Sequence, residues 1–527
     1  DVTFANFFKW VRDTLRQKDP RAGVGMSGSQ AAEAYGGYDW SRLAHTLDFI
    51  QNYTHQDTIA MQRSFDSRVP RAPWYGYMAQ NPAMRRALWR CLLNGNYGGS
   101  YFVEGYMFMP DLTPTRSTRD AAEVVAEFQS GVATLLRHAQ RQNDIAVHYS
   151  QPSIRGAFIS GADALFRDNR HGWVTALEDL GFQYEFVSSA QLEAAGQPRA
   201  GGPSATGGLF GAGPQQVEAS RIGRYRVLVM PYSVALSDKE AEAIRGFVRD
   251  GGLLLADAKV GLMNEHCRTR PKAALDDVFG VKRERVNALG PVRDGEAQFT
   301  AQLGGLKLDL AVAEPDLALA GGAALGQHGQ APLAVVNKFG KGMAVLLNHF
   351  LEGYPRQRDL RTELPLRGLV ENALRLGDVQ PAIRATADGE PRPRLYVVRY
   401  QNGDALYVAA QHDGADAKDT TARVTLPFPK QGFAYDVRQG KALGQMRSAS
   451  AELAPGDVKL YALLPYEVKG LTARAPASVR PGEMVRYEVA VETGGGQAGQ
   501  HVLRVKVLGP DGKPREHYGA KLVVAKG

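Results

Sequence analysis

Three acidic side chains follow short apolar segments within the first 142 residues, where a carboxylate could serve as a general acid or a nucleophile. They are Glu33 in SGSQAAEAYGGYDW, Asp57 in NYTHQDT and Glu104 in YFVEGYMF. Glu104 is the favoured candidate, because a carboxyl group among aromatic rings has a raised pKa and holds a proton near neutral pH. An ion pair with a nearby arginine, such as Arg85 or Arg116, is the structural alternative for each acid.

Aromatic and short polar side chains crowd the same stretches and indicate a carbohydrate-binding surface. Flat rings stack on the apolar faces of sugar rings, while hydroxyl and amide groups bond sugar hydroxyls. The candidate substrate-binding residues are Trp74, Tyr75, Tyr77, Tyr101, Tyr106, Tyr38, Gln30 and Asn52. The last two could equally cap helices. Trp40 and Trp89 lie at helical positions, which predicts that both rings pack in the core.

The elements that carry these residues form four successive strand and helix units over residues 1–142. The predicted strands are AGVGMSG, DFIQNYT, APWYGYMA and GSYFVEGYMF, and the predicted helices include FANFFKWVRDTLRQKDP, YDWSRLAHTL and PAMRRALWRCLLNG. Four such units are half of a (β/α)₈ barrel. The other half is expected to precede residue 1.

Residues 143–383 predict a second α/β domain with a parallel sheet. The apolar runs IAVHYS, YEFVSS, RVLVMPYS and LLLADAK alternate with helices, which is typical of a sheet that is covered on both faces. A helix over SDKEAEAIRGFVRDGG is expected to begin after Ser237 and to end before Gly251. Residues 283–325 predict an all-β insert. The domain carries neither a glycine-rich phosphate fingerprint nor a nucleophile elbow.

The remainder of the chain contains predicted strands only. Residues 384–467, with an NGD turn, predict a small β-sandwich. Residues 468–527, with a PDGK turn, predict an immunoglobulin-like β domain that is truncated, since a full sandwich needs about 100 residues.

Composition excludes several classes of protein. Hydrophobic residues make up 44% of the 527 residues and charged residues 22%, a globular balance. The net charge of +8 is spread among 55 acids, which argues against nucleic acid as a partner. No run of eighteen apolar residues occurs, so no membrane partner is expected. Cys91 and Cys267 have no partners at metal-ligand spacing, so neither a metal nor another cofactor is expected.

The order of these segments resembles the β-galactosidases of glycoside hydrolase family 42. The resemblance is most specific over residues 143–280, in the strand NDIAVHYSQPS, in the unit RVLVMPYSVALSDKEAEAIRGFVRDGGLLLAD and in the tail NEHCRTRP. It is looser over YDWSRLAHTLDFIQNY and RRALWRCLLNGNYGGSYF. It implies a barrel joined to a flavodoxin-like trimerisation domain and a β domain, and a homo-oligomer, by resemblance a trimer. The compartment stays open between the bacterial periplasm, secretion and the cytoplasm.

The resemblance also implies a retaining mechanism, in which an acid/base and a nucleophile lie about 5 to 5.5 Å apart. The family's acid/base lies at the end of the fourth barrel strand, which here is expected before residue 1. Its nucleophile ends the seventh strand, which corresponds to APWYGYMAQNP. The matching positions Met78, Ala79 and Gln80 are not acidic. Three explanations fit this pattern: the alignment of the loop is wrong, the site is inactive, or one of the three acids named above has taken over the role.

Two other functions remain open. The first is a non-catalytic carbohydrate-binding or structural assembly protein that kept the oligomerising scaffold. The second is an amidotransferase-like enzyme centred on the second domain, which requires a nucleophile next to a base. The position of the three acids relative to an upstream glutamate distinguishes the first of these from a hydrolase.

Overall fold

The computed structural model describes residues 1–29, 31–53, 57–65, 71, 74–75, 82–96, 98, 100–101, 107–195, 222–284, 296–387, 390–391, 394–414 and 419–524. The chain forms two compact units. The first contains residues 1–74 and 143–381, and the second contains residues 75–142 and 382–527. Among the described residues, no helix combines the length and the apolar character needed to cross a bilayer.

The helices are mostly amphipathic and pack one face against a sheet or another helix. They are α1 (Val2–Arg16), α2 (Trp40–Thr46), α3 (Thr58–Phe65), α4 (Ala83–Leu93), α5 (Arg116–Glu127), α6 (Ala133–Arg137), α7 (Gln151–Ile159), α8 (Asp163–Asp179), α9 (Ser189–Ala195), α10 (Asp238–Arg249), α11 (Asp276–Phe279), α12 (Tyr354–Leu360) and α13 (Leu364–Arg375). A π-helical turn, Phe128–Val132, joins α5 to α6.

The strands are short in the first 142 residues and longer towards the C-terminus. They are β1 (Gly25–Ser29), β2 (Phe49–Asn52), β3 (Trp74–Tyr75), β4 (Ser100–Tyr101), β5 (Gln140–Arg141), β6 (Ile145–Tyr149), β7 (Tyr184–Ser188), β8 (Val227–Met230), β9 (Leu253–Asp257), β10 (Val281–Arg283), β11 (Glu296–Phe299), β12 (Lys307–Asp309), β13 (Leu317–Leu319), β14 (Ala323–His328), β15 (Ala331–Phe339), β16 (Gly342–Leu347), β17 (Thr386–Ala387), β18 (Glu390–Pro391), β19 (Leu395–Asn402), β20 (Ala405–His412), β21 (Ala422–Asp436), β22 (Lys441–Leu453), β23 (Val458–Leu464), β24 (Glu467–Arg474), β25 (Glu488–Gly494), β26 (His501–Val505) and β27 (Ala520–Val524).

The first unit begins with strand and helix units of the predicted kind. β1 and β2 pair in parallel, and Ile50 of β2 forms a further parallel bridge with Arg71. A side chain at Gly25 would overlap the Phe49 ring opposite it, so that ring would have to move to make room. Asp39 caps α2 by accepting a hydrogen bond from the Ser41 amide at 3.1 Å. In the part of the chain that the structure describes, β1 pairs along one edge only.

The centre of the first unit is a nine-stranded sheet in the order β12-β11-β14-β15-β16-β9-β8-β6-β7. The five strands β7, β6, β8, β9 and β16 are parallel, and their order is that of flavodoxin-like sheets. β6, β8 and β9 are buried at every residue, since helices cover both faces. The predicted β insert contributes β11, β12 and β14, which extend this same sheet in antiparallel fashion.

Two of the covering helices show how sequence fixes their position. Ser237 caps α10 through a capping box with Glu240, and Gly251 follows the helix with a positive φ, as predicted. In α8, a side chain at Gly172 would overlap the Leu351 carbonyl oxygen, so the glycine permits close contact. Trp40 and Trp173 are fully buried in the same core.

The helix α3 covers the edge strand β7 of this sheet. The Arg63 guanidinium donates to the Tyr184 carbonyl oxygen at 2.9 Å, and the Phe186 amide donates to the Ser64 hydroxyl at 2.9 Å. Asp57, which directly precedes α3, forms a buried ion pair with Arg170 of α8. The distance from Arg170 Nε to Asp57 Oδ2 is 2.6 Å. Both side chains are at most 3% exposed.

The second unit contains an antiparallel sheet in the order β18-β17-β21-β23-β20-β19-β5, with β22 paired to β21. The helix α4 is bound to it through polar contacts. The Arg141 guanidinium donates to the Leu93 carbonyl and to the Tyr396 hydroxyl at 2.8 and 2.9 Å. Trp89 is fully buried beside Phe128, so both tryptophans predicted to lie in the core do so.

The C-terminal residues form two hairpins, β24 with β25 and β26 with β27. Several of their apolar side chains are exposed, among them Leu471, Met484 and Leu508. The mixed α/β plus β composition expected from the sequence is confirmed. The four domain boundaries and the truncated immunoglobulin-like domain stay predictions.

Removal of Arg170 tests the buried pair. We expect Arg170→Met to lower the free energy of unfolding by about 3 to 5 kcal/mol, because Asp57 would stay buried without a cation. Thermal and urea unfolding measure the change. Arg375→Met is the matched control, since its pair with Glu371 lies partly exposed along one helix. That variant should change stability by less than about 0.5 kcal/mol, and equal losses in both variants would contradict the assignment.

A buried histidine makes the first unit sensitive to acid. His349 is 1% exposed, its Nε2 atom has no hydrogen-bond partner, and burial lowers its pKa to about 4. Between the pKa of about 6.5 in the unfolded chain and 4, only the unfolded chain binds the proton, so stability is full above pH 6.5 and falls as the pH drops. The loss should approach about 3 kcal/mol.

We expect His349→Phe to remove this part of the pH dependence. Urea unfolding at pH 7.5, 5.5 and 4.5 measures it as a stability of the wild type, relative to the variant, that falls towards acid. His266, whose side chain is 74% exposed, supplies the control His266→Gln. A constant difference between His349→Phe and the wild type across this range would show that the burial of His349 has no such effect.

Candidate functional site

The segment between β1 and α2 carries two of the predicted site residues, Glu33 and Tyr38. It follows the carboxyl end of β1, the side on which barrel enzymes carry their active sites. Glu33 is partly exposed, and its charge and a hydrogen bond raise the pKa of the exposed Tyr35 beside it. The Tyr38 ring stacks on Trp40 with centroids 6.1 Å apart and meets Phe4 edge-on. A partly exposed carboxylate and an aromatic ring therefore share one loop.

Side chains of the sheet hold this loop in place. The Trp40 amide donates to the Tyr149 hydroxyl at 3.1 Å, and the Gln151 amide group donates to the Glu33 carbonyl oxygen at 3.1 Å. Tyr149 is the last residue of β6 and Gln151 is the first residue of α7. These contacts span more than 100 positions of sequence, and no local pattern indicates them.

Asn52 and Asp57 lie after β2 and are both buried. The Asn52 amide nitrogen donates to the Tyr53 carbonyl at 3.0 Å, while its Oδ1 atom has no hydrogen-bond partner. A sugar hydroxyl could bond this oxygen only if the loop opens, because Asn52 is 0% exposed. Asp57 is engaged by Arg170, which is the structural alternative foreseen for the three acids. This geometry does not favour Asp57 as a catalytic carboxylate.

The other predicted site residues fall into two groups. Glu104, Tyr77, Tyr106 and Gln30 lie outside the described residues. Trp74, Tyr75 and Tyr101 are described only by their places in β3 and β4. Their roles stay predictions, as do those of Glu33 and Tyr38.

A buried serine, histidine and glutamate in the sheet form a hydrogen-bonded chain that sequence reasoning missed. The Ser233 hydroxyl lies 2.9 Å from His148 Nδ1, and His148 Nε2 lies 3.1 Å from Glu240 Oε1. The arrangement resembles a hydrolase triad. Ser233 is only 1% exposed, however, and Glu240 Oε2 also accepts a hydrogen bond from the Ser237 amide. These three hydrogen-bonded side chains therefore stabilise the fold. They do not provide the accessible nucleophile that an amidotransferase-like enzyme would need.

A second buried acid, Asp257, lies at the end of β9. Its pKa would suit a general base, but its side chain is enclosed and hydrogen-bonded by the protein. Burial raises its pKa to about 7, against hydrogen bonds from the Asn169 amide, the Trp173 indole and the Tyr232 backbone. Asp257 is 0% exposed and both of its oxygens accept these bonds. A substrate proton cannot reach it in this conformation.

The crevice in which flavodoxin-like sheets bind ligands is filled by the protein itself. It lies between the ends of β6 and β8, where the chain order of the strands reverses. The Ser150 and Ser153 hydroxyls donate to the Ala235 carbonyl oxygen there at 3.2 and 3.0 Å. Within the described ranges, no three His, Cys, Asp or Glu side chains are grouped so that they could hold a metal ion.

Comparisons with known proteins give the following similarities. Residues 216–363 match the family model of the β-galactosidase trimerisation domain. No curated protein sequence matches the chain. The fold is similar to the β-galactosidase from Bacillus circulans sp. alkalophilus, with a TM-score of 0.65, 17% identity, and coverage of 87% of this chain and 66% of that chain.

Two further solved structures are similar. One is Gan42B, a GH42 β-galactosidase from G. stearothermophilus, with a TM-score of 0.61, 15% identity, and coverage of 87% of this chain and 68% of that one. The other is α-L-fucosidase isoenzyme 2 from Paenibacillus thiaminolyticus, with a TM-score of 0.55, 15% identity, and coverage of 87% and 70%. At these identities the similarity concerns the fold.

The chain spans 66% of the length of the first of these structures. The matched family lies within the segment 143–383 that resembles such a domain in sequence, and the neighbours are glycosidases. Residues 216–363 therefore match the β-galactosidase trimerisation domain family, and the resemblance of the chain to glycoside hydrolase family 42 is confirmed.

Proposed function

We propose that the protein is a β-galactosidase-like glycoside hydrolase that acts by a retaining two-carboxylate mechanism. The match of residues 216–363 to the β-galactosidase trimerisation domain is the observation that carries this proposal. It is supported by the β1 and β2 pair, whose carboxyl ends lead into loops with acids and aromatic rings.

We further propose that residues outside these 527 complete the barrel and provide the acid/base. The chain covers only 66% of the length of the β-galactosidase structure from Bacillus circulans sp. alkalophilus, which supports this. The nucleophile would attack the anomeric carbon while the acid protonates the departing oxygen. The acid/base would then take a proton from the water that releases the sugar.

Glu104 and Glu33 are the acids that this proposal favours as the nucleophile. Glu33 lies partly exposed on the loop after β1, and Glu104 follows β4 in sequence. Asp57 is the least favoured candidate for the nucleophile, because its carboxylate forms a buried ion pair with Arg170. The sugar is a galactoside by analogy with two of the neighbours and a fucoside by analogy with the third.

The second candidate function is a carbohydrate-binding or structural assembly protein without catalysis. The absence of an acid from Met78, Ala79 and Gln80 favours it. Both functions share the oligomer, which we propose to be a homotrimer built on the domain that contains residues 216–363.

Hydrolysis by the complete protein encoded by the gene tests the first proposal. We expect release of nitrophenol from aryl β-galactosides or aryl α-L-fucosides. Glu104→Gln should lower kcat by at least about 100-fold if Glu104 is the nucleophile, and Glu33→Gln should do so if Glu33 is. Glu123→Gln is the matched control, because this carboxylate is 81% exposed in α5.

Azide distinguishes a nucleophile from a residue that only binds sugar. In the alanine variant of the true nucleophile, azide should restore release of nitrophenol and yield a glycosyl azide of inverted configuration. An unchanged kcat in both Glu104→Gln and Glu33→Gln would remove these two acids from the mechanism. A wild type that binds sugars but hydrolyses none of the glycosides would favour the assembly function.

The proposed trimer is tested separately by light scattering coupled to size exclusion. We expect a mass of three chains that does not change with dilution through the micromolar range. A single chain at these concentrations would contradict the proposed assembly, whatever the enzymatic result.

A further inference from the structure

Tyr149 at the end of β6 is buried between the sheet and the segment 33–40. Its side chain is 2% exposed, and its ring meets Phe65 of α3 edge-on with centroids 5.0 Å apart. Its hydroxyl group reaches the backbone of a loop that is about 110 positions earlier in the chain. The loop carries Glu33 and Tyr38, the two predicted site residues whose side chains the structure shows to be partly exposed.

A continuous set of hydrogen bonds joins both ends of this loop to the sheet. The Trp40 amide donates to the Tyr149 hydroxyl at 3.1 Å, and that hydroxyl donates to Gln151 Oε1 at 3.2 Å. The Gln151 amide nitrogen then donates to the Glu33 carbonyl oxygen at 3.1 Å. The Tyr38 carbonyl is a more distant acceptor for the hydroxyl, at 3.4 Å. Two side chains thus bind the first and the last residue of the segment.

The chemistry of these groups suits a permanent support. Burial and the nearby carboxylate of Asp39 raise the pKa of Tyr149, so the phenol stays neutral and can accept one hydrogen bond while it donates another. Trp40 is the first residue of α2, where backbone amides have no acceptor inside the helix. The hydrogen bonds to Glu33, Tyr38 and Trp40 involve backbone atoms of the segment, so they act directly on its path.

The loop needs such a support because its own sequence is permissive. Gly36 and Gly37 lie between Glu33 and Tyr38, and Gly37 has a φ of +74°. Glycines at these positions lower the cost of alternative backbone conformations. A catalytic or sugar-binding side chain must be held to within about 0.5 Å of its working position.

We propose that Tyr149 and Gln151 are positioning residues that set the conformation of residues 33–40, and through it the placement of Glu33 and Tyr38 at the sugar site. The inference rests on the proposed glycosidase function for its catalytic consequence. In this arrangement the α/β domain that includes residues 216–363 also fixes the conformation of residues 33–40. All the contacts involved lie within the first unit.

Tyr149→Phe tests the proposal, because it removes the hydroxyl and keeps the ring against Phe65. In the complete protein, we expect kcat/KM on the best aryl glycoside to fall about tenfold at 25 °C. A loss mainly in kcat would indicate displacement of Glu33, and a rise mainly in KM would indicate displacement of Tyr38. Gln151→Leu should produce a change of the same kind.

Tyr354→Phe is the matched control. Tyr354 is also fully buried in the first unit, and its hydroxyl donates to Asp179 at 3.0 Å. A general effect of losing a buried phenol would therefore appear equally in this variant. We expect Tyr354→Phe to keep the wild-type kcat and KM although it lowers the melting temperature.

Hydrogen exchange tests the structural part without relying on activity. Backbone amides in peptides that cover residues 31–41 should exchange about tenfold faster in Tyr149→Phe than in the wild type. In Tyr354→Phe their exchange rate should equal that of the wild type. Equal exchange in Tyr149→Phe and the wild type would overturn the inference, and so would unchanged kinetic constants in an active enzyme. A wild type inactive on every glycoside would overturn the proposed function, while the exchange result would still decide whether Tyr149 holds the loop.

Discussion

Both faces of the parallel sheet in the first unit are shielded from water. Polar groups near its strands must therefore be hydrogen-bonded within the protein. β6, β8 and β9 are buried along their whole length, so each polar group at their carboxyl ends must find a partner inside the protein. His148 bonds Glu240 of α10 and Asp257 bonds Asn169 of α8, whereas Ser233 bonds His148 of the neighbouring strand β6. A constellation that resembles catalytic machinery is therefore part of the scaffold, because its nucleophile has no access to solvent.

Periodicity and capping predicted most of the elements. The ends of α10 at Ser237 and Gly251 were readable because a cap depends on residues within one turn of the helix. The sequence also indicated the order of the parallel strands, through a resemblance that the comparisons support. It did not indicate that the β insert extends the main sheet, since strand pairing depends on residues far apart along the chain.

The candidate site was only partly predictable for the same reason. Asp57 looks in sequence like Glu33, an acid in a loop after a strand, and only its pairing with Arg170, 113 positions later, separates the two. The support of the Glu33 loop by Tyr149 is equally invisible, because a tyrosine at the end of an apolar strand looks like any core residue. Local sequence identifies which groups could react, whereas long-range contacts decide which of them are free to do so.

The covering of β7 by α3 bears on how copies of the chain can associate. The Arg63 and Ser64 side chains already occupy a carbonyl and an amide on the outer side of that strand. A strand from another molecule would have to displace them before it could pair there. The opposite edge, β12, is three residues long and carries Lys307 and Asp309, features that discourage intermolecular pairing. Copies of this domain are therefore expected to associate through helix or loop surfaces and not by pairing their edge strands.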